Sequence, residues 1–136
     1  SKGGCVAVFP EGTTSHGDTL LPFHASLLQP AVHSESKIWP AAIRYSHADG
    51  SLNRAASYVG DVSFGESLQE ILSQPELYAD LVFLAPIGAH GKARRELARQ
   101  AELAIAAALD LTPHVREAGN TDELQPVAVA PELAAA

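Results

Sequence analysis

Two apolar runs, CVAVF at residues 5–9 and DLVFLA at residues 80–85, are each cut off by a proline. Neither is long enough for a helix, and CVAVF offers apolar side chains to both faces, as a strand covered on both sides does. Proline has no amide to give to a ladder, so Pro10 and Pro86 end these runs. Residues 93–109 read differently: Ala93, Leu97, Ala101, Ala104, Ile105, Ala108 and Leu109 recur at helical spacing, with Arg94, Arg95, Arg99 and Glu102 elsewhere. Strands alternating with helices predict an α/β fold, a largely parallel sheet flanked by helices.

Between these elements the signals are shorter. Residues 11–22 have the Gly, Thr, Ser and Asp content of a loop. Residues 23–33 predict a short helix that Pro30 bends or ends. A second strand is expected over residues 38–45, with Pro40 tolerated near its start or at an edge, then a turn at Asp49-Gly50 and a brief strand over residues 58–62. Ser67-Leu-Gln-Glu70 fits a capping box that opens a helix running through Leu72. Past Pro113 the chain is rich in Ala, Pro and Glu without periodicity. The expected division is therefore a folded part, residues 1–111, and a mostly disordered tail, residues 112–136.

Composition narrows the function classes. A formal net charge of −7 argues against a nucleic-acid partner and against polybasic attachment to anionic lipid. The lone Cys5 has no internal disulfide partner, which suits a reducing compartment, and its place in an apolar run makes it an inert core residue. No Cys/His cluster has metal-ligand spacing. No apolar run approaches the roughly 18 residues that cross a bilayer, and no signal-peptide pattern is visible. The chain has no methionine, and residues 1–4 lead straight into a core-like strand. It is therefore expected to be the C-terminal part of a longer protein.

The chemistry concentrates in FPEGTTSHGDTLLPFH, residues 9–24. In open α/β sheets ligands bind where strands end, and residues 11–15 lie at such an end. Gly12 permits close approach; Thr13, Thr14 and Ser15 offer hydroxyls and amides to an oxyanion; Glu11 can accept from a hydroxyl. The alternative is a solvated turn held by local Ser/Thr bonds.

FPEGTTS followed by LLPFH, then WPAAIRY at residues 39–45, resembles the glycerolipid acyltransferase family, which includes the 1-acylglycerol-3-phosphate acyltransferases. Phe9 to Thr13 match its Phe-Pro-Glu-Gly-Thr block, Phe23-His24 its Phe-Lys-type segment, and Pro40 to Tyr45 its proline-bearing strand. YVGDVSFGESL and VFLAPI, at residues 58–68 and 82–87, look like its C-terminal half. The resemblance implies acyl transfer from acyl-CoA or acyl carrier protein, as co-substrate and with no cofactor, to the hydroxyl of a lysolipid such as 1-acylglycerol-3-phosphate. It also implies action at the cytoplasmic face of a membrane, with attachment through an N-terminal part absent here. In the family a His-x-x-x-x-Asp motif is the general base and lies before this block. None of the six histidines here has Asp five positions on, so no catalytic residue is expected within the chain, which alone is expected to be inactive.

The resemblance makes Glu11, Gly12, Thr13, Thr14, Ser15 and His24 the acceptor-binding residues. Many members place arginine where this chain has Thr14, and members with threonine there include ones acting on lyso-ornithine lipid. Lyso-ornithine lipid acylation is therefore one alternative, and a non-catalytic lipid- or acyl-carrier-binding module another. Arg44, near the end of the second expected strand, would supply the replacement charge or else pair with Glu11 or Asp18. Ser15, His16 and Asp18 have triad residue types, but neighbours on one loop do not converge on a common centre. Lys92, Arg94 and Arg95 form a basic cluster that would meet coenzyme A phosphates, anionic lipid or only solvent. Leu20, Leu21, Pro22 and Phe23 would line an acyl groove or form core.

Overall fold

Strand pairing in the computed structural model, which describes residues 4–57 and 63–112, is antiparallel throughout the described residues. A 3-10 turn, Ala25–Leu28, runs into helix α1, Gln29–His33, with Pro30 in the first turn of that helix. Strands β1, Lys37–Ile38, and β2, Ala41–Ser46, follow, then helix α2, Phe64–Ser73. Strands β3, Tyr78–Phe83, and β4, Ile87–Gly88, lead into helix α3, Arg94–Ala108. The chain is a small α/β assembly.

β1 pairs with β4 and β2 with β3, so the largely parallel sheet is not what these residues form. Apolar composition identifies strands; the connection sets their direction. Here the chain between β2 and β3 returns alongside the strand it left, whereas a parallel pair needs a crossover. The register also slips. Ile38 faces Ile87 while Ala41 faces Phe83, so residues 39–40 oppose residues 84–86. This one-residue excess falls at Pro40 and Pro86, which cannot donate to the ladder, and Leu84 N bonds Pro40 O at 2.9 Å across it. The expected single strand over residues 38–45 is thereby cut in two.

Residues 5–9 belong to neither sheet, and Val6 and Phe9 are 84% and 74% exposed. A strand needs a partner ladder, and among the described residues none pairs with this run. Cys5 is accordingly exposed rather than a core residue. The brief strand expected over residues 58–62 and the tail from residue 113 lie outside the described residues.

The core collects on one face of α3. Leu97, Ala98, Ala101, Ile105 and Ala106 are buried there against Leu20, Phe23, Ala25, Leu28, Ala42 and Ala89. Six of these eleven residues are alanine, so backbones approach closely and small changes in volume are felt. The stripe is turned slightly from the expected one: Ala93 and Ala108 are exposed, and Ala98 and Ala106 take their place.

Helix ends explain the chain direction. Asp110 at φ 55° lets Leu111 N reach Ala106 O at 2.9 Å, folding Leu111 back onto the core. Glu35 at φ 50° does the same after α1, where Ser36 N meets Ala31 O at 3.0 Å. At α2 the capping box is Ser63 with Glu66, four residues earlier than Ser67 with Glu70. Both quartets satisfy the pattern; the helix extends back to the first serine that can cap it. Ser67 is instead buried inside the helix.

Replacing Leu97 by alanine is expected to cost about 2–5 kcal/mol of stability, because its buried neighbours cannot close the cavity. Leu103→Ala, on the exposed face of the same helix, should stay within about 0.5 kcal/mol. Urea unfolding of the two variants checks the contrast.

Candidate functional site

Residues 9–24 leave the extended segment, turn, and come back beside their own start. His24 N donates to Pro10 O at 2.7 Å and closes the loop at its base. Gly12 N donates to Phe9 O at 3.1 Å and makes the first turn. That turn holds Gly12 at φ +71°, where a side chain is strained, and an added Cβ would lie 2.9 Å from the His24 ring carbon Cδ2. Gly12 and His24, the two ends of the motif, are thus brought into contact.

Glu11 lies across the loop. Its Oε2 accepts from Leu21 N at 2.9 Å, so the motif carboxylate ties the outgoing limb to the returning one. Burial pushes the Glu11 carboxyl above the usual glutamate range, and the Leu21 amide only partly opposes this. An under-solvated carboxylate of this kind gains from a further donor, such as a ligand hydroxyl. Thr13 and Thr14 are exposed at the turn beside it.

Ser15 works locally. Its hydroxyl donates to Thr19 O at 2.9 Å and accepts from Gly17 N at 3.2 Å, a serine turn of the kind the alternative reading describes. Asp18 accepts from Arg54 Nη2 at 2.8 Å, so Ser15, His16 and Asp18 share no centre. This ion pair is largely solvent-exposed and contributes at most about 1 kcal/mol, yet it fastens the loop tip to the residues after β2. Gly17 rests on the Leu52 side chain at the same junction.

The returning limb is anchored in the core. Leu20 and Phe23 are buried and pack with α3, so these two of the LLPF residues are core, while Leu21 and Pro22 are half-buried beside them. Beneath Phe23 lies Glu102, whose Oε2 accepts from Phe23 N at 3.4 Å while Oε1 accepts from Arg99 Nη1 at 2.7 Å. Sequence reasoning placed Glu102 outside the apolar stripe. Counting from Leu97 and Ala98 through Ala101 and Ile105 puts position 102 on the buried face, and a carboxylate there was the legible signal.

Arg44 stands apart. It sits mid-strand in β2 opposite Asp80, is exposed, and makes no ion pair among the described residues. Asp18 goes to Arg54 and Glu11 to Leu21, so neither of its expected structural partners holds it. Lys92 Nζ donates to Gln100 Oε1 at 2.6 Å.

The loop presents a half-buried carboxylate, two exposed hydroxyls and a glycine turn, a surface suited to hydrogen-bonding a polar hydroxylated or anionic group. The sequence is similar to known proteins that carry such chemistry in their names. It is 35% identical over 108 residues to a lyso-ornithine lipid O-acyltransferase of Pseudomonas aeruginosa, covering 79% of this chain and 42% of that protein. It is 36% identical over 83 residues to a 1-acyl-sn-glycerol-3-phosphate acyltransferase of Neisseria gonorrhoeae, covering 61% of this chain and 32% of that protein. These relatives are named as acyltransferases, which is consistent with a glycerolipid acyltransferase family. A lyso-ornithine lipid O-acyltransferase of Brucella abortus is 31% identical over 121 residues, covering 79% of this chain and 45% of that protein. The chain thus spans less than half the length of the curated relatives it matches. No family model matches it, and no solved structure does.

The Glu11 environment sets a pH signature. Because ionising Glu11 is harder in the folded chain than in the unfolded one, the native state keeps the proton longer, and stability falls as pH rises through the window just above the usual glutamate range. Glu11→Gln removes this titration. The Tm of the variant minus that of the wild type should therefore rise between about pH 4 and pH 7. A difference that is flat or falls over that range contradicts the assignment.

Proposed function

We propose that this chain forms the acceptor-binding part of a lysolipid O-acyltransferase, as an incomplete portion of the acyltransferase domain. The supporting observation is the closed 9–24 loop, in which the Phe-Pro-Glu-Gly-Thr block and Phe23-His24 meet at the Gly12–His24 contact. In this reading Glu11, Gly12, Thr13, Thr14 and Ser15 line the acceptor's polar head, with His24 behind the turn. Arg44, which makes no ion pair among the described residues, supplies charge.

The reaction transfers an acyl group from a coenzyme A or acyl-carrier-protein thioester. The acceptor hydroxyl loses its proton to a base, its oxygen bonds the acyl carbon, the C–S bond breaks, and the thiolate leaves and takes up a proton. No His-x-x-x-x-Asp pair stands among residues 1–136, so this chemistry comes from residues outside them. No helix of the described residues is long and apolar enough to cross a membrane. Contact with the cytoplasmic face, where the acceptor resides, falls in this reading to segments outside the chain.

Two acceptors fit. The family resemblance points to 1-acylglycerol-3-phosphate. Thr14 in the place of a phosphate-gripping arginine, together with the match to the Pseudomonas protein over 79% of the chain, favours lyso-ornithine lipid as the second reading.

The test is an assay of the longest protein encoded with this segment, offered each lysolipid with acyl-CoA and with acyl carrier protein. Ester formation on one acceptor is expected, with none from residues 1–136 alone. Arg44→Ala should raise the acceptor KM by about tenfold, the worth of one charged hydrogen bond, and leave the thioester KM unchanged. Transfer to no lysolipid, or turnover by residues 1–136 alone, overturns the reading.

A further inference from the structure

We infer that Glu102 is a positioning residue for the acceptor loop: from inside α3 it holds the Phe23 amide and thereby fixes His24 against the Gly12 turn. The loop's assignment to an acceptor rests on the function proposed above; the hold itself does not. Glu102 is 0% exposed in a stripe otherwise made of alanine, leucine and isoleucine. A carboxylate in such a place is harder to bury than an alanine, so its retention needs partners. It has them on both oxygens. Oε1 receives Arg99 Nη1 from one turn earlier on the same helix, which brings an opposite charge to the buried group. Oε2 accepts from Phe23 N at 3.4 Å, 79 positions away along the chain and itself buried.

The consequence falls on the returning limb. Three amides within four residues are held, each by a different part of the molecule. Leu21 N goes to Glu11 in the motif, Phe23 N to Glu102 in α3, and His24 N to Pro10 at the loop base. The first and last of these close the loop on itself. The Glu102 bond ties that closed loop by its backbone to the helix beneath. With the His24 ring where a Cβ on Gly12 would collide with it, a shift of the limb moves the imidazole relative to the exposed Thr13 and Thr14.

Two variants test this. Glu102→Leu keeps the volume and removes both acceptors; Glu102→Gln keeps one carbonyl oxygen for the Phe23 amide. On isotope-labelled protein, amide exchange at Phe23 and His24 should rise about tenfold or more in Glu102→Leu and less in Glu102→Gln, while the β2–β3 ladder from Ala42 to Ser46 keeps its protection. Exchange at Phe23 and His24 equal to wild type, or a uniform rise across α3, β2 and β3, overturns the inference. In the longest protein encoded with this segment, Glu102→Gln should raise the acceptor KM severalfold and leave the thioester KM within about twofold. Equal changes in both constants overturn the positioning role. If the wild-type protein transfers no acyl group, the proposed function fails, and the exchange measurement alone decides the role of Glu102.

Discussion

The close packing of α3 against the returning limb of the 9–24 loop is the constraint on which the rest depends. Leu20 and Phe23 can be buried only because Ala98, Ala101 and Ala106 leave room for them. Ala42 and Ala89 bring the antiparallel strands up to the same surface. The outgoing limb folds back upon it through Glu11, Pro10 and the exposed Asp18–Arg54 pair. A loop so supported places its turn residues with the rigidity of the helix beneath.

The motif carboxylate therefore has a structural duty before any chemical one. Glu11 spends one oxygen on the Leu21 amide, and burial leaves its ionised form short of solvent. Both facts make it a receptive acceptor for a hydroxyl arriving from outside the loop. The proposed division, a gripping surface here and proton chemistry elsewhere, agrees with a chain that matches less than half of its acyltransferase relatives. The described surface also leaves Ile43, Tyr45, Leu81 and Phe83 exposed along the outward face of the β2–β3 pair.

Much of this was legible in the residues, and the rest was hidden for identifiable reasons. The period of Leu97, Ala101 and Ile105 located α3 almost to its ends, and the glycine-and-hydroxyl run located the loop. Strand direction was not legible, since an apolar run such as DLVFLA reads alike in either sense; it took the register Ala41↔Phe83 to show the antiparallel pair. CVAVF carried a strong strand signal and forms none, because pairing is a property of two segments and no described segment meets it. In the site, the sequence named Glu11, Gly12 and His24 but missed Arg54 and Glu102, which act on the loop across 36 and 79 positions. Only the folded chain brings such partners together. Glu102 alone left a local trace, a charge on an alanine face.

In the proposed function the loop at residues 9–24 is where a lysolipid head group is held. The most direct measurement is an NMR titration of the isotope-labelled chain with soluble short-chain lysophosphatidic acid and, separately, lyso-ornithine lipid. Saturable shifts at the amides of Gly12, Thr13, Thr14 and His24 with one of them, and none along β3, are the predicted result. Shifts confined to β3 or α2 while the loop stays silent would contradict it.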